Sequence, residues 1–196
     1  MTNFDDLKAL LKSNRSIRRF DSSRAIGEDT LTRLVDLVRY CASGRNLQPL
    51  RYRTVVSADE CNRLFPSLKW AGYLTDWDGP AENERPAAYL VQCLDTRLTS
   101  DCMCDDGLHL ETLTLGAATL GIHGCIIKAF NAAALSEALQ LPQRYKPLHV
   151  LALGYPAETV ELTDTNGTTE ADIRYYRTET DIHIVPKRPL EELLIK

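Results

Sequence analysis

Apolar residues recur at helical spacing at Phe4, Leu7, Leu10 and Leu11, which predicts a helix with one apolar face up to about Ser13. Thr2, with Asp5 three positions on, offers an acidic capping box ahead of it. A second helix is predicted to open at Gly27-Glu28-Asp29-Thr30, where acids favour the positive helix end. Leu31, Leu34, Val35 and Val38 form its core stripe, and it runs to about Tyr40 or Cys41. Thr54, Val55 and Val56 are β-branched, so residues 52–56 read as a strand. The capping box Ser57-Ala58-Asp59-Glu60 then starts a short helix. Residues 87–94 are mostly apolar over a strand's length, the pattern of a central strand buried on both faces.

Residues 105–120 give the longest helix, with Leu108, Leu110, Leu113, Leu115, Ala117, Ala118 and Leu120 on more than one face, so it is expected to be buried. His109 lies among them and reads as a satisfied interior or interface histidine more readily than as a catalytic one. Gly121 ends the helix, and the Gly121-Ile122-His123-Gly124 turn allows close backbone approach. Cys125-Ile126-Ile127 is a short strand, Asn131 caps a helix over 132–139 that Pro142 stops, and 148–153 is another apolar strand closed by Gly154-Tyr155-Pro156.

Three stretches break the pattern. Residues 65–84 mix Trp70, Tyr73 and Trp77 with glycines and prolines, which suits either an aromatic lid over a flat ligand or the packing of an irregular excursion. Residues 159–181 turn polar and read as an exposed excursion. The tail from Ile182 is apolar on alternate positions, and its Leu190, Leu193, Leu194 and Ile195 need a surface to bury against. The mixture of helices and strands makes the chain α+β or α/β, and 196 residues suit a single domain spanning 1–196.

The net charge of -4 argues against general nucleic-acid binding. No apolar run approaches the roughly 20 residues that cross a bilayer, and the N-terminal residues lack the pattern of a signal peptide, so the expected compartment is the cytoplasm. The six cysteines read as buried small hydrophobes. Cys102-Met103-Cys104 near Asp105, Asp106 and His109 has no second cluster at zinc spacing, so no metal is expected. No dinucleotide-binding glycine motif, Walker loop or nucleophile elbow is present, and no serine–histidine–aspartate set stands out. That absence suits chemistry carried by a bound cofactor, with no side chain assigned a catalytic role.

Against this acidic background, Asn14-Arg15-Ser16-Ile17-Arg18-Arg19-Phe20 concentrates cations. Forked guanidinium groups beside a hydroxyl suit a phosphate, since each can bond two of its oxygens. By itself the cluster suits a solvated basic turn equally well. It resembles, however, the Arg-Ser-Ile-Arg phosphate-binding signature of the nitroreductase family. Ala42-Ser43-Gly44-Arg45-Asn46-Leu47-Gln48-Pro49, Leu120-Gly121-Ile122-His123-Gly124-Cys125-Ile126-Ile127, and the pair Gly154-Tyr155-Pro156-Ala157-Glu158 and Pro186-Lys187-Arg188-Pro189-Leu190-Glu191-Glu192 resemble that family in the same order.

The resemblance implies an α+β, nitroreductase-like fold, with a central mainly antiparallel sheet surrounded by helices. It also implies a homodimer with a swapped C-terminal arm and FMN at the subunit interface. Arg15, Ser16 and Arg18 would take the phosphate, ribityl chain or pyrimidine edge, with Lys187 and Arg188 closing on the phosphate. Asn46, Gln48 and Pro49 would lie against the ring, in part across the dimer, and the backbone of Ile127 and Lys128 would lie near N5. The implied activity is a ping-pong transfer of hydride from NADH or NADPH through FMN to a nitroaromatic, quinone or similar flat small molecule. The alternatives are a specialised relative that reduces or destroys flavin or reduces enones, and a flavin-binding protein without turnover. The chain departs from the family at Asn14, where arginine is usual, at His123 and Lys128, where small residues are common, and at Leu50, where an aromatic is frequent.

Overall fold

The apolar run after Pro86 becomes the middle of the molecule. In a computed structural model that describes residues 3–195, strand β2 (Ala88–Asp95) is buried at every position. It pairs antiparallel with β1 (Leu50–Val55) on one side and β4 (Tyr145–Gly154) on the other, and β3 (His123–Ile127) completes the order β1-β2-β4-β3. The β2–β4 register shifts between Gln92 and Cys93, where Pro147 faces Cys93 with no N–H to give.

Both faces of this sheet are covered, as a nearly continuous apolar strand requires. On one face Ala88, Leu90, Leu151 and Leu153 meet Leu31 and Leu34 of helix α2 (Glu28–Leu37) and Leu110, Leu113 and Ala117 of α4 (Asp105–Ala118). On the other, Tyr89, Val91, Ile127, Val150 and Ala152 meet Leu64 of α3 (Ala58–Leu64) and Leu135 of α5 (Ala132–Ala138). The result is the expected α+β arrangement, a mainly antiparallel sheet between helices.

The first helix, α1 (Phe4–Ser13), opens on a capping box one residue later than the pattern indicated. Asp6 N–H donates to Asn3 Oδ1 at 2.8 Å and Asn3 N–H donates back to Asp6 Oδ2 at 3.1 Å. Thr2, proposed for that role, lies outside the described residues. The apolar stripe of α1 is only partly covered: α1 lies against α4 and Leu10 is half-buried, but Phe4 is 78% exposed, and Leu7 and Leu11 are exposed too.

The polar stretch 159–181 is exposed as expected but is not structureless. It supplies β5 (Val160–Asp164) and β6 (Tyr176–Arg177), which flank β7 (His183–Lys187) in a second sheet, parallel and antiparallel respectively. This sheet is fastened to the body through Glu158. Its Oε1 accepts the Arg18 and Arg19 N–H groups, and its Oε2 accepts from Arg177 Nη2 at 2.9 Å. In residues 65–84, Trp70 is buried against Phe65 at 5.9 Å between ring centroids, and Tyr73 packs on Tyr175 at 5.0 Å. These contacts are what the packing reading of that stretch expects.

Candidate functional site

The segment after α1 lies along the outer edge of the sheet. Ile17 N–H donates to Gly124 O at 3.0 Å, so Ser16 sits beside β3. Asn14 is fixed from the helix side, its Nδ2 donating to Thr114 Oγ1 on α4 at 2.9 Å. Between these supports opens a cleft of about 220 Å³ lined by Arg15, Ser16, Glu111, Gly124, Ile126 and Lys187. Lys187 arrives from the end of β7, so the second sheet brings a distant cation to the arginine cluster.

The cleft suits an anion. Arg15 Nη2 donates to Leu11 O at 2.8 Å, while its buried Nε has no partner among the described residues. Burial lowers the Arg15 pKa, and the Glu111 carboxylate opposes that shift. A buried guanidinium N–H without an acceptor is costly, and a phosphate oxygen would satisfy it.

A second, larger cleft of about 430 Å³ lies by the loop between α2 and β1. Arg45, Asn46 and Gln48 adopt φ values of 54°, 55° and 46°, left-handed positions that side chains disfavour, with Leu47 between them in ordinary helical backbone. Asp105, wholly buried at the start of α4, holds it: its Oδ2 accepts from Ser43 Oγ at 2.6 Å and its Oδ1 from Gly44 N–H at 2.9 Å. Gln48 N–H then donates to Ser43 Oγ at 2.9 Å. The loop presents Asn46 and Gln48 at the cleft, joined by a bond from Gln48 Nε2 to Asn46 Oδ1 at 3.0 Å, and Pro49 is buried below them.

The residues singled out in the sequence therefore fall into five places. Arg15, Ser16 and Lys187 share the first cleft, and Asn46 and Gln48 share the second. Arg18 turns inward: it is buried, lies 4.8 Å from the Tyr175 ring centre, and donates to His183 Nε2 at 3.2 Å. Arg188 pairs with Glu192 and with the carbonyls of Gly167 and Thr168. Ile127 is buried in the sheet and Lys128 exposed just beyond it. Glu111 and Thr114 were missed as site residues. They are polar positions three apart, on one side of a helix whose neighbouring Leu110, Leu113 and Leu115 are apolar, which is the signal that could have marked them.

The geometry describes an α+β protein with an antiparallel sheet between helices and an anion cleft at the sheet's edge. Over residues 102–155 the sequence matches the Nitroreductase family. A nitroreductase family protein from Streptococcus pneumoniae TIGR4 superposes with a TM-score of 0.68 at 15% identity, over 97% of this chain and 99% of that one. One from Clostridium difficile 630 gives 0.64 at 20% identity, over 95% of each chain. An FMN-dependent nitroreductase from Clostridium difficile R20291 gives 0.62 at 17% identity, over 83% of this chain and 92% of that one. Comparison with curated proteins yields no match. The chain has the nitroreductase fold, and its α4-to-β4 segment carries that family's sequence pattern. No helix among the described residues is long and apolar enough to cross a membrane.

Proposed function

We propose that the protein is an FMN-dependent oxidoreductase, a homodimer that moves hydride from NADH or NADPH to a nitroaromatic, quinone or similar flat acceptor. The observation that carries this reading is the cleft in which Arg15, Ser16 and Lys187 meet, with Arg15 Nε unpartnered among the described residues, on a nitroreductase fold. When bound, FMN supplies reversible hydride acceptance at its N5. The chain's own groups do the rest. Arg15 and Lys187 neutralise the phosphate, and Ser16 bonds it. Asn46 and Gln48 orient the ring, reaching the cofactor across the dimer, because in one chain they line a different cleft from Arg15. The backbone at Ile127 and Lys128 is assigned to the neighbourhood of N5 by resemblance. Arg18 and Arg188, both engaged inside the chain, support the site from behind.

The test is the visible spectrum of the protein after FMN is added and the sample desalted, followed by anaerobic NADH or NADPH. Retained yellow colour that bleaches with either nucleotide is the expected result. Retained colour without bleaching would indicate a flavin-binding protein, and loss of the flavin would overturn the assignment. A charged contact to phosphate contributes about 1.5–3 kcal/mol. The Arg15→Ala, Lys187→Ala double variant is therefore expected to lose its flavin on desalting.

A further inference from the structure

The chain that leaves the anion cleft at Ser16 is next stitched to two other parts of the molecule. Phe20 N–H donates to Glu84 O at 2.9 Å, and Asp21 N–H donates to Tyr155 O at 2.8 Å. The turn that follows, where Arg24 N–H donates to Asp21 O at 3.3 Å, therefore lies between the lead into β2 and the end of β4. A third cleft, of about 320 Å³, opens there. Arg24 reaches it from the turn, Arg85 from the lead into β2, and Asn62 from α3. Each guanidinium sits over an aromatic ring, Arg24 at 3.3 Å from the centre of Tyr155 and Arg85 at 4.1 Å from that of Phe65. Stacking of this kind holds a guanidinium in place and leaves the N–H groups at its rim free for an anion. Among the described residues no carboxylate pairs with either arginine. Arg85 gives only Nη1, to Asn62 Oδ1 at 3.4 Å, and its buried Nε has no partner among them.

The charges around this cleft leave a cation over. Glu82 is the one carboxylate on its wall among the described residues. The neighbouring Glu84 is drawn away to Arg19, its Oε2 lying 3.5 Å from Nε. The Cys61 thiol, also on the wall, is pushed up to about 11 by burial first and then by the Glu60 carboxylate, so it adds no charge at neutral pH. Two guanidinium groups against one carboxylate favour an anion with several acceptor oxygens, and the Ser22 hydroxyl offers one more donor. The rest of the wall is apolar at Ala25, Val56 and Pro86. A bare phosphate would leave that part uncovered, whereas an ester with a short carbon chain fills it.

We propose that this third cleft binds a small alkyl phosphomonoester, its phosphate held by the Arg24 and Arg85 guanidinium groups and its carbon chain against Ala25, Val56 and Pro86. None of these residues lines the cleft of Arg15 and Lys187, so the site stands apart from the flavin reading and does not depend on it. Propyl phosphate titrated calorimetrically tests it, first into the whole protein saturated with FMN, then into the Arg15→Ala, Lys187→Ala double variant without FMN. Saturable binding is expected in both, tighter than that of inorganic phosphate. Arg24 is exposed, so Arg24→Ala leaves the fold intact and is expected to weaken propyl phosphate about tenfold or more. Glu82→Gln removes the opposing carboxylate and is expected to tighten it severalfold, a gain that a damaged fold would not give. Absence of saturable binding overturns the proposal, and so does equal binding to Arg24→Ala or a Glu82→Gln variant that binds no tighter. Binding that vanishes in the double variant gives the ligand to the first cleft and overturns it as well.

Discussion

Arg18 and His183 show how a residue chosen for one chemistry is used for another. The motif suggests a phosphate ligand, yet the Arg18 guanidinium donates to a neutral imidazole and stacks on Tyr175. Burial, then Arg18, then Arg177 push the His183 pKa down to about 4. The ordinary value is about 6.5, so between these limits the unfolded chain binds the proton that the folded chain refuses. Stability is therefore fully present above about pH 6.5 and is lost as pH falls towards 4, by at most about 3 kcal/mol from this residue. Burial lowers His109, His123 and His149 in the same direction. Urea unfolding midpoints between pH 7.5 and 4.5 check this. His183→Gln keeps an acceptor for Arg18 but cannot titrate, so the slope of stability against pH is expected to flatten by about one proton.

At the scale of elements, the edge strand β3 carries both fold and site. Its Gly124 bonds Ile17 through its carbonyl and lines the anion cleft. A Cβ on Gly124 would stand 2.3 Å from the Ala152 carbonyl of β4, a backbone atom that cannot turn aside. Gly124→Ala is expected to force β3 away from β4, costing about 1–3 kcal/mol in urea unfolding and loosening FMN with it. The sequence made this region readable because glycine beside a short β-branched run marks close approach, although the strand begins at His123, two residues before the pattern showed it. Helices α2 and α4 were legible for the same reason, since helical apolar spacing reflects the face that must be buried. The second sheet was not, because β6 is two residues long, β5 is exposed, and both find their partner only at β7. Among the residues that line the first cleft, Arg15, Ser16 and Lys187 could be picked out from charge and motif. The inward turns of Arg18 and Arg188 could not, because they depend on Tyr175, His183 and Glu192, whose proximity only the folded chain creates.

The whole molecule is left with apolar surface that its own chain does not cover. Phe4, Leu7 and Leu11 of α1, Leu37 of α2 and Leu108 of α4 are exposed, as are Leu190, Leu193, Leu194 and Ile195 in the tail, with Ile195 wholly so. Isolated exposed apolar residues are ordinary, but several on α1 and the tail together point to a contact surface. The two candidate clefts make the same demand, for Asn46 and Gln48 can reach a cofactor at Arg15 only from another copy if the flavin reading holds. Full burial of a leucine or isoleucine side chain contributes about 1.5–3 kcal/mol, so four tail residues seated on a partner would make up a large part of a dimer's stability. A chain ending at Pro189 is therefore expected to sediment as monomer at concentrations where the full chain is a dimer. It is also expected to lose FMN on desalting, although Arg15, Ser16 and Lys187 are all retained. If the shortened chain keeps both its partner and its flavin, the tail is surface and the association rests on α1, α2 and α4. If it stays dimeric but loses the flavin, the tail closes the cofactor site without building the interface.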